Sequence, residues 1–192
     1  HLLLKEVGTA VAAPSANLSG KPSSTELKHV IADFSGKIEG VLDGGSSKYG
    51  VESTVINLLT SPFSILRPGV ISKEEIEAVL EEKVEMITDS SVVVSPGTKY
   101  RHYAPVAKII LFFEETSLLD YLKGLDKEQV VVLAPYLSKE NIEYTKLEAR
   151  NLYSSFRLAD EEGKESILIF CDKETTKDAA LMNRINKAAF TY

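Results

Sequence analysis

Residues 166–170 read Ser166-Ile167-Leu168-Ile169-Phe170, an apolar run with one polar residue at its start. Two earlier runs, Ile109–Phe113 and Val130–Leu133, have the same solid apolar character. Such runs are typical of strands that are covered on both faces, as in parallel sheets. Helical patterns alternate with these runs, at Ser117–Leu122, Leu147–Asp160 and Ala179–Ala189. The alternation predicts βαβ units and therefore a small doubly wound α/β domain over residues 108–192.

This predicted domain carries no sequence signature of a particular chemistry. It has neither the glycine-rich fingerprint of a dinucleotide site nor a P-loop, so its fold class alone assigns it no reaction. Its one cysteine, Cys171, directly follows an apolar run and is interpreted as a buried strand residue rather than a reactive thiol. A single cysteine also excludes an intrachain disulfide, which favours a reducing compartment and a cytoplasmic protein.

A long connection precedes the domain. Residues 88–105 contain two prolines and one glycine, and their apolar residues follow no regular period after Val94. A connection of this length without its own structure is usually functional or a linker. We therefore predict a first α/β unit over residues 1–88, a linker or lid over residues 89–107, and a second unit over residues 108–192.

The first unit shows shorter strand and helix patterns. The first residues, His1–Lys5, are interpreted as the last turns of a helix that starts before them. Further predicted elements are a brief strand at Val11–Ala13, a loop at Ser15–Ser24, a helix over Leu27–Phe34 capped by Thr25 and ended by Gly36, strands at Ser53–Leu59 and Phe63–Leu66, and a helix over Lys73–Glu82 capped by Ser72.

Composition and charge exclude several classes of function. The chain has 192 residues, of which 44% are hydrophobic and 26% charged, with a net charge of −6. The acidic excess is spread over both halves, so the broad basic footprint of a nucleic-acid-binding protein is missing. No apolar stretch approaches the length of a membrane span. The three histidines show no metal-ligand spacing, so no protein metal site is predicted.

Three segments of the first unit are candidates for ligand binding. In Ala13–Asn17 and the following loop, short polar side chains beside exposed backbone N–H groups suit phosphate or ribose oxygens, but an ordinary polar turn has the same composition. In Val51–Val55, Ser53 and Thr54 point to opposite faces of a strand, so only one can face a pocket. Arg67 ends a strand, where it would bind a phosphate or pair with a surface carboxylate.

The linker is the most unusual segment. Ser95–Pro105 combines two basic residues, one histidine and two tyrosines. Such a loop would cover an anionic ligand that contains a base, or it would simply pack on both units. His102 is a candidate general acid or base, although no orienting carboxylate lies beside it in the sequence. We predict that this linker closes over a bound nucleotide.

Together these segments resemble one family. The YrdC-type threonylcarbamoyl-AMP synthases carry similar motifs in the same order as Ala13-Pro14-Ser15-Ala16-Asn17-Leu18-Ser19-Gly20, Val51-Glu52-Ser53-Thr54-Val55 and Leu66-Arg67-Pro68-Gly69. The two-domain branch of that family has a linker similar to Ser95-Pro96-Gly97 with Lys99–Pro105. The resemblance implies the carboxyl-terminal portion of a YrdC-like twisted mixed-sheet α/β domain, followed by a small Rossmann-like domain with a parallel sheet.

The resemblance also implies a reaction and its residues. L-threonine, bicarbonate and ATP, with Mg²⁺, would give threonylcarbamoyl-AMP and pyrophosphate, a nucleotidyltransferase reaction. The product would supply a separate complex that forms threonylcarbamoyladenosine on tRNA. Implied contacts to ATP are Ser15, Asn17, Ser23, Arg67 and Tyr103, with Tyr100 as the alternative to Tyr103. Implied contacts to threonine are Ala13 and Ser53. Implied lid residues are Lys99, Tyr100, Arg101 and His102.

The same resemblance limits what this chain is expected to do alone. The family's amino-terminal half completes the ATP and threonine pockets, and its motifs do not occur here, so the 192-residue piece is expected to be inactive. One alternative is a YrdC-fold module that binds double-stranded RNA weakly and has no synthase activity. The acidic balance argues against it. Another alternative is carbamoyl transfer within a larger maturation protein, which would lack the linker and the trailing domain.

Overall fold

The chain is described by a computed structural model over residues 2–87 and 104–189. Within these ranges the first unit contains helices α1 (Leu2–Val7), α2 (Leu27–Phe34) and α3 (Lys73–Leu80) and strands β1 (Val55–Asn57), β2 (Ser64–Arg67) and β3 (Glu85–Met86). The strands form one sheet in the order β1-β2-β3, in which β2 is antiparallel to β1 and parallel to β3. This mixed sheet confirms the fold class predicted for the first unit.

Several predicted elements of the first unit were wrong in extent. Val11–Ala13 form no strand, because a strand needs a paired neighbour and none lies beside them among the described residues. The cap of α2 is Glu26 rather than Thr25. Strand β1 is shorter than Ser53–Leu59, since the Asn57 side chain accepts a hydrogen bond from the Leu59 amide and turns the chain.

For helix α3 the predicted cap is confirmed and the predicted end is wrong. Ser72 caps it as predicted, in a capping box in which Ser72 Oγ accepts from the Glu75 amide and Glu75 accepts from the Ser72 amide. The helix ends at Leu80 rather than Glu82. Glu81 adopts a left-handed conformation with a φ of 57°, which terminates the helical hydrogen-bond pattern.

The second unit is a parallel sheet covered by helices on both faces. Its strands β4 (Lys108–Phe112), β5 (Val130–Ala134), β6 (Thr145–Lys146) and β7 (Ser166–Phe170) lie in the order β4-β7-β5-β6. All neighbouring pairs are parallel. The helices are α4 (Glu115–Leu122), α5 (Ala149–Glu161) and α6 (Ala179–Ala189), with short 3-10 turns at Lys127–Gln129 and Thr175–Lys177. The predicted doubly wound parallel arrangement is therefore confirmed.

Strand β7 divides the core of the second unit between its two faces. Ile167 and Ile169 belong to a cluster completed by α5 and α6, whereas Leu168 and Phe170 belong to a cluster completed by α4. Side chains of a strand alternate between faces, so a solid apolar run serves both layers. Cys171 is buried as predicted, and burial raises the pKa of its thiol to about 11, which leaves it an unreactive thiol at neutral pH.

Among residues 2–87 and 104–189, no helix is both long enough and apolar enough to cross a membrane. The linker predicted at residues 89–107 falls mostly outside the described residues, so the division into three parts stays a prediction.

Candidate functional site

The loop of residues 13–24 is built around a left-handed turn. Ala16 has a φ of 52°, a value that residues with a Cβ seldom adopt. Its carbonyl accepts a hydrogen bond of 2.7 Å from Ser24 Oγ, which holds the turn. Ala13 and Ser15 lie on the entering side of the turn with exposed side chains. Both are therefore accessible to a ligand.

Asn17 uses its side chain to shape the same loop. Its Nδ2 donates to the carbonyls of Leu18 and Lys21, at 2.9 and 3.1 Å. Its Oδ1 is buried and has no hydrogen-bond partner among the described residues. The amide therefore stabilises the turn by donating and keeps one acceptor for a ligand or water.

Ser23, by contrast, is turned away from solvent. Its side chain is buried, and its Oγ donates a hydrogen bond of 2.6 Å to Glu52 Oε1. In this arrangement the hydroxyl joins the Ala13–Ser24 loop to the segment that precedes Ser53.

The Val51–Val55 motif and the Leu66–Gly69 motif meet where β1 begins and β2 ends. Arg67 donates from Nε and Nη2 to the Ser53 carbonyl, at 3.2 and 3.1 Å. Thr54 Oγ1 donates to the Ile71 carbonyl at 2.6 Å, so Thr54 is used for packing and Ser53 is the hydroxyl left exposed. Gly69 passes so close to the backbone of Ser53 and Thr54 that a Cβ at this position would collide with it.

Glu52 connects these motifs to the second unit. Its Oε2 accepts from Arg184 Nε at 2.8 Å and from the Tyr153 hydroxyl at 3.1 Å, while its Oε1 accepts from Ser23. Arg184 Nη1 also donates to the Pro68 carbonyl at 2.9 Å. The Glu52 carboxylate thus contacts the Ala13–Ser24 loop at Ser23 and helix α6 at Arg184. Arg184 in turn contacts the Leu66–Gly69 motif at Pro68.

A second ion pair fixes the Ala13–Ser24 loop. Asp33 accepts from Arg157 Nη2 at 2.8 Å and from the Leu18 amide at 3.1 Å. Arg157 Nε and Nη2 also donate to the Pro22 carbonyl, at 3.0 and 2.6 Å. The Arg157 and Asp33 side chains are almost fully buried, and Lys21 forms a more exposed pair with the same carboxylate.

The ionisation of this network follows from its contacts. Burial would raise the pKa of Asp33, but hydrogen bonds from Arg157, the Leu18 amide and Lys21 outweigh burial and lower it to about 2. Burial would likewise raise the pKa of Glu52, but bonds from Ser23 and Arg184 lower it. Burial, followed by the guanidinium groups of Arg184 and Arg67, lowers the pKa of Lys187 on α6.

The structure brings together some of the predicted site residues and leaves others apart. Ser53 and Arg67 are in direct contact, and Ser23 joins them through Glu52. Ser15 and Asn17 share the turn at Ala16, and Ala13 lies in the exposed stretch before it. The predicted linker residues Lys99, Tyr100, Arg101, His102 and Tyr103 lie outside the described residues.

Sequence reasoning missed the buried charges Asp33, Arg157 and Arg184 and the half-buried Glu52. A signal for the two arginines was present. Arg157 follows Phe156 on a helix whose apolar face is otherwise regular, and Arg184 stands between Leu181 and Ile185. A charged residue in the register of an apolar helix face is buried only when it is paired, so it predicts a partner in another element. The sequence pattern does not show which residue that partner is.

Comparisons with known proteins agree with the fold and with the family resemblance. Residues 71–190 match the family model described as "Threonylcarbamoyl-AMP synthase, C-terminal domain", and residues 1–69 match the model described as "Telomere recombination". The chain is 39% identical to the threonylcarbamoyl-AMP synthase of Pyrococcus abyssi over 93% of its own length and 57% of the relative's. For the Bacillus subtilis synthase the values are 36%, 97% and 59%.

A solved structure shows the same arrangement. The crystal structure of P. abyssi Sua5 complexed with L-threonine superposes with a TM-score of 0.80 at 37% identity, covering 97% of this chain and 60% of that one. The mixed sheet and the parallel sheet therefore belong to an α/β fold of known architecture. This chain belongs to the threonylcarbamoyl-AMP synthase family, as the match over residues 71–190 establishes. It spans somewhat more than half the length of the curated relatives that it matches.

Proposed function

We propose that the full-length protein is an L-threonylcarbamoyl-AMP synthase, which converts L-threonine, bicarbonate and ATP to threonylcarbamoyl-AMP and pyrophosphate. The observation that carries this proposal is the similarity to synthases of three organisms over at least 93% of the chain, with all three motifs in order. The P. abyssi relative was crystallised with L-threonine, which supports threonine as a substrate. In this proposal the product would supply a tRNA threonylcarbamoyl-transferase complex in the cytoplasm.

The residues of the site would act by binding and by charge. Arg67 would neutralise a phosphate of ATP, while Ser15 and Asn17 would bind the nucleotide from the turn at Ala16. Ser53 and the Ala13 backbone would contact threonine. From the linker, Tyr103 would complete the nucleotide contacts, whereas Ser23, whose buried hydroxyl donates to Glu52, would act on the nucleotide through the position of its loop. Catalysis would consist of orienting the reactants and stabilising charge at the α-phosphate, so no protein nucleophile is required.

Mg²⁺ is expected to accompany ATP in this reaction. Among residues 2–87 and 104–189, no group of three or more His, Cys, Asp or Glu side chains is placed to hold a metal ion. These residues therefore do not form a metal cage, and we assign no step to the ion. Mg²⁺ commonly enters sites with substrate phosphates and few protein ligands.

The direct test is pyrophosphate release by the full-length protein. Release should require threonine, bicarbonate and ATP together, and omission of any one should abolish it. ATP binding with no pyrophosphate release in the complete mixture would refute the synthase proposal. The isolated residues 1–192 should be inactive in the same assay.

Arg67 offers the sharpest residue-level test. Arg67→Ala should lower kcat/KM for ATP roughly 10- to 100-fold, the effect of losing a hydrogen bond to a charged group. Arg67→Lys should recover part of this loss, because it keeps the charge without the guanidinium fork. Equal activity of Arg67→Ala and the unaltered protein would remove Arg67 from the site.

A double-stranded RNA-binding module remains the other class of function that the fold admits. The net charge of −6 and the even spread of acidic residues do not favour it.

A further inference from the structure

Two arginines of the second unit are buried against the motif segments of the first. Arg184 is 0% exposed and Arg157 is 6% exposed. Arginine is almost never buried to this degree unless its charge and its donors are paired. Both side chains meet that condition with groups of the first unit, over sequence separations of more than a hundred residues.

Arg157 holds both ends of the segment that follows the turn at Ala16. It donates twice to the Pro22 carbonyl, next to Ser23. It also pairs with Asp33, which in turn accepts from the Leu18 amide next to Asn17. Arg157 therefore holds residues 18–22 directly at Pro22 and, through Asp33, at Leu18, so we expect the positions of Asn17 and Ser23 to depend on Arg157.

Arg184 joins the other two motifs. It pairs with Glu52, which directly precedes Ser53, and it donates to the carbonyl of Pro68, which directly follows Arg67. Glu52 also receives the Ser23 hydroxyl. Arg184 therefore contacts both of the segments proposed to bind threonine and the phosphates, which also meet directly through Arg67 and Gly69.

Helix α5 presents these contacts along one face. Its first turn lies against Gly50, where a Cβ would collide with the backbone of Ala149 and Arg150. Tyr153 binds Glu52, and Arg157 binds Pro22 and Asp33. Asp160 accepts hydrogen bonds from the amides of Val106 and Ala107, at the end of the linker. Contacts three to four residues apart share one helix face, so one face of α5 carries the contacts to Gly50, Glu52, Pro22 and Asp33 of the first unit.

We propose that Arg157 and Arg184 are positioning residues, through which the second unit holds the substrate-binding segments of the first in their working geometry. Arg157 governs the nucleotide segment alone, and Arg184 governs both the threonine and the phosphate segments. The proposal rests on the synthase function proposed above. A purely stabilising role fits these residues less well, because buried ion pairs are often no more stabilising than apolar residues of similar size. A displacement of about 1 Å at a reacting group, however, lowers rates on the order of 100-fold.

The test uses Arg157→Lys and Arg184→Lys in the full-length protein. Lysine keeps the charge but cannot bind two acceptors as a fork. Arg157→Lys should raise KM for ATP about 10-fold and leave KM for threonine unchanged. Arg184→Lys should raise KM for ATP and KM for threonine about 10-fold each. A 10-fold change is the effect expected for one lost charged hydrogen bond. The matched control is Arg150→Lys, because the Arg150 side chain is exposed and its contact with Gly50 is made by backbone atoms, which this substitution leaves in place.

A second pair of variants separates positioning from folding. Tyr153→Phe removes only the hydroxyl that binds Glu52 and keeps the ring in the core, so it should raise KM for threonine roughly 3-fold with little loss of stability. Leu118→Ala, in the cluster against α4, should lower the melting temperature but change neither KM.

The outcomes are distinguishable. The positioning role is overturned if the KM values stay unchanged in Arg157→Lys, Arg184→Lys and Tyr153→Phe. It is also overturned if Leu118→Ala changes the KM values as much as these variants do. In both cases the unaltered enzyme would still make threonylcarbamoyl-AMP. Absence of product from the unaltered full-length protein would instead overturn the synthase function. If the lysine variants do not fold, an unchanged threonine KM in Tyr153→Phe is sufficient to reject the proposal.

Discussion

The two units of this chain bury different kinds of side chain. Among the described residues before the linker, the fully buried apolar side chains are Ile65 and Val84, whereas the buried polar ones are Ser23, Thr25, His29, Asp33 and Ser64. After the linker, two apolar clusters fill both faces of a parallel sheet. The second unit is therefore held by non-directional apolar packing, and the first by directional polar contacts, many of which end on the second.

This difference shows which unit supports the other. A buried polar group is stable only when its partner is in place. For Glu52 and Asp33 those partners, Arg184 and Arg157, are supplied by α6 and α5. Within residues 2–87 and 104–189, the site segments thus take the partners of their charged side chains from the second unit.

Separating the two units should have the largest effect. Residues 104–189 expressed alone should unfold cooperatively in urea, because they contain both apolar clusters. Residues 1–87 alone should show no cooperative transition by circular dichroism, because their buried charges lose their partners. A cooperative transition in residues 1–87 would contradict the proposed dependence.

A core truncation should show that the second unit carries most of the stability. Phe156→Ala should lower the free energy of unfolding of the chain by about 4 kcal/mol, since Phe156 is fully buried in the cluster of α5 and α6. Leu59→Ala, at a side chain that is 96% exposed, should change it by less than about 0.5 kcal/mol. Chemical denaturation measures both values, and similar losses would mean that the contrast between the units is wrong.

Removing one partner of the Asp33–Arg157 ion pair should have the next largest effect. Asp33→Ala should lower the free energy of unfolding by about 3 kcal/mol, because it leaves a buried guanidinium without its carboxylate. The double variant Asp33→Leu with Arg157→Met should recover most of that stability but keep the raised KM for ATP in the full-length enzyme. If the double variant recovers both the stability and the KM for ATP, the Asp33–Arg157 pair only stabilises the fold.

Acid should weaken the same contact by a smaller amount. The pKa of Asp33 is about 2 in the folded chain, compared with 3.8 for the free side chain, so folding favours the charged form. Its contribution, roughly 2 kcal/mol, is fully present above about pH 4 and is lost as the pH falls towards 2. Melting temperatures measured between pH 6 and pH 2.5 should fall less steeply in Asp33→Asn than in the unaltered chain.

The smallest effect tests a local feature that does not involve the second unit. Ser72→Ala removes the capping box of α3 and should lower the free energy of unfolding by about 1 kcal/mol. Ser72→Thr is the matched control and should retain most of the cap. Loss of ATP or threonine affinity in Ser72→Ala would show that α3 also shapes the site.

Local pattern was sufficient for the second unit. The runs around Ile109, Val131 and Leu168 predicted parallel strands, and the structure confirms them, because a strand buried on both faces leaves a solid apolar signature. The same reasoning failed at Val11–Ala13 and overextended β1, where the outcome depends on paired neighbours and on side-chain hydrogen bonds. Strand β6, only two residues long, left no readable pattern.

For the site, the sequence by itself determined the motif segments, the resemblance that they carry and the candidates Ser15, Ser53 and Arg67. Only the tertiary structure decided that Ser23 is turned towards Glu52 and that arginines of α5 and α6 hold the motifs together. The physical reason is the range of the interactions. Periodicity and turn chemistry act over a few residues, whereas the partners of Glu52 and Asp33 lie more than a hundred residues away and become neighbours only when the two units pack.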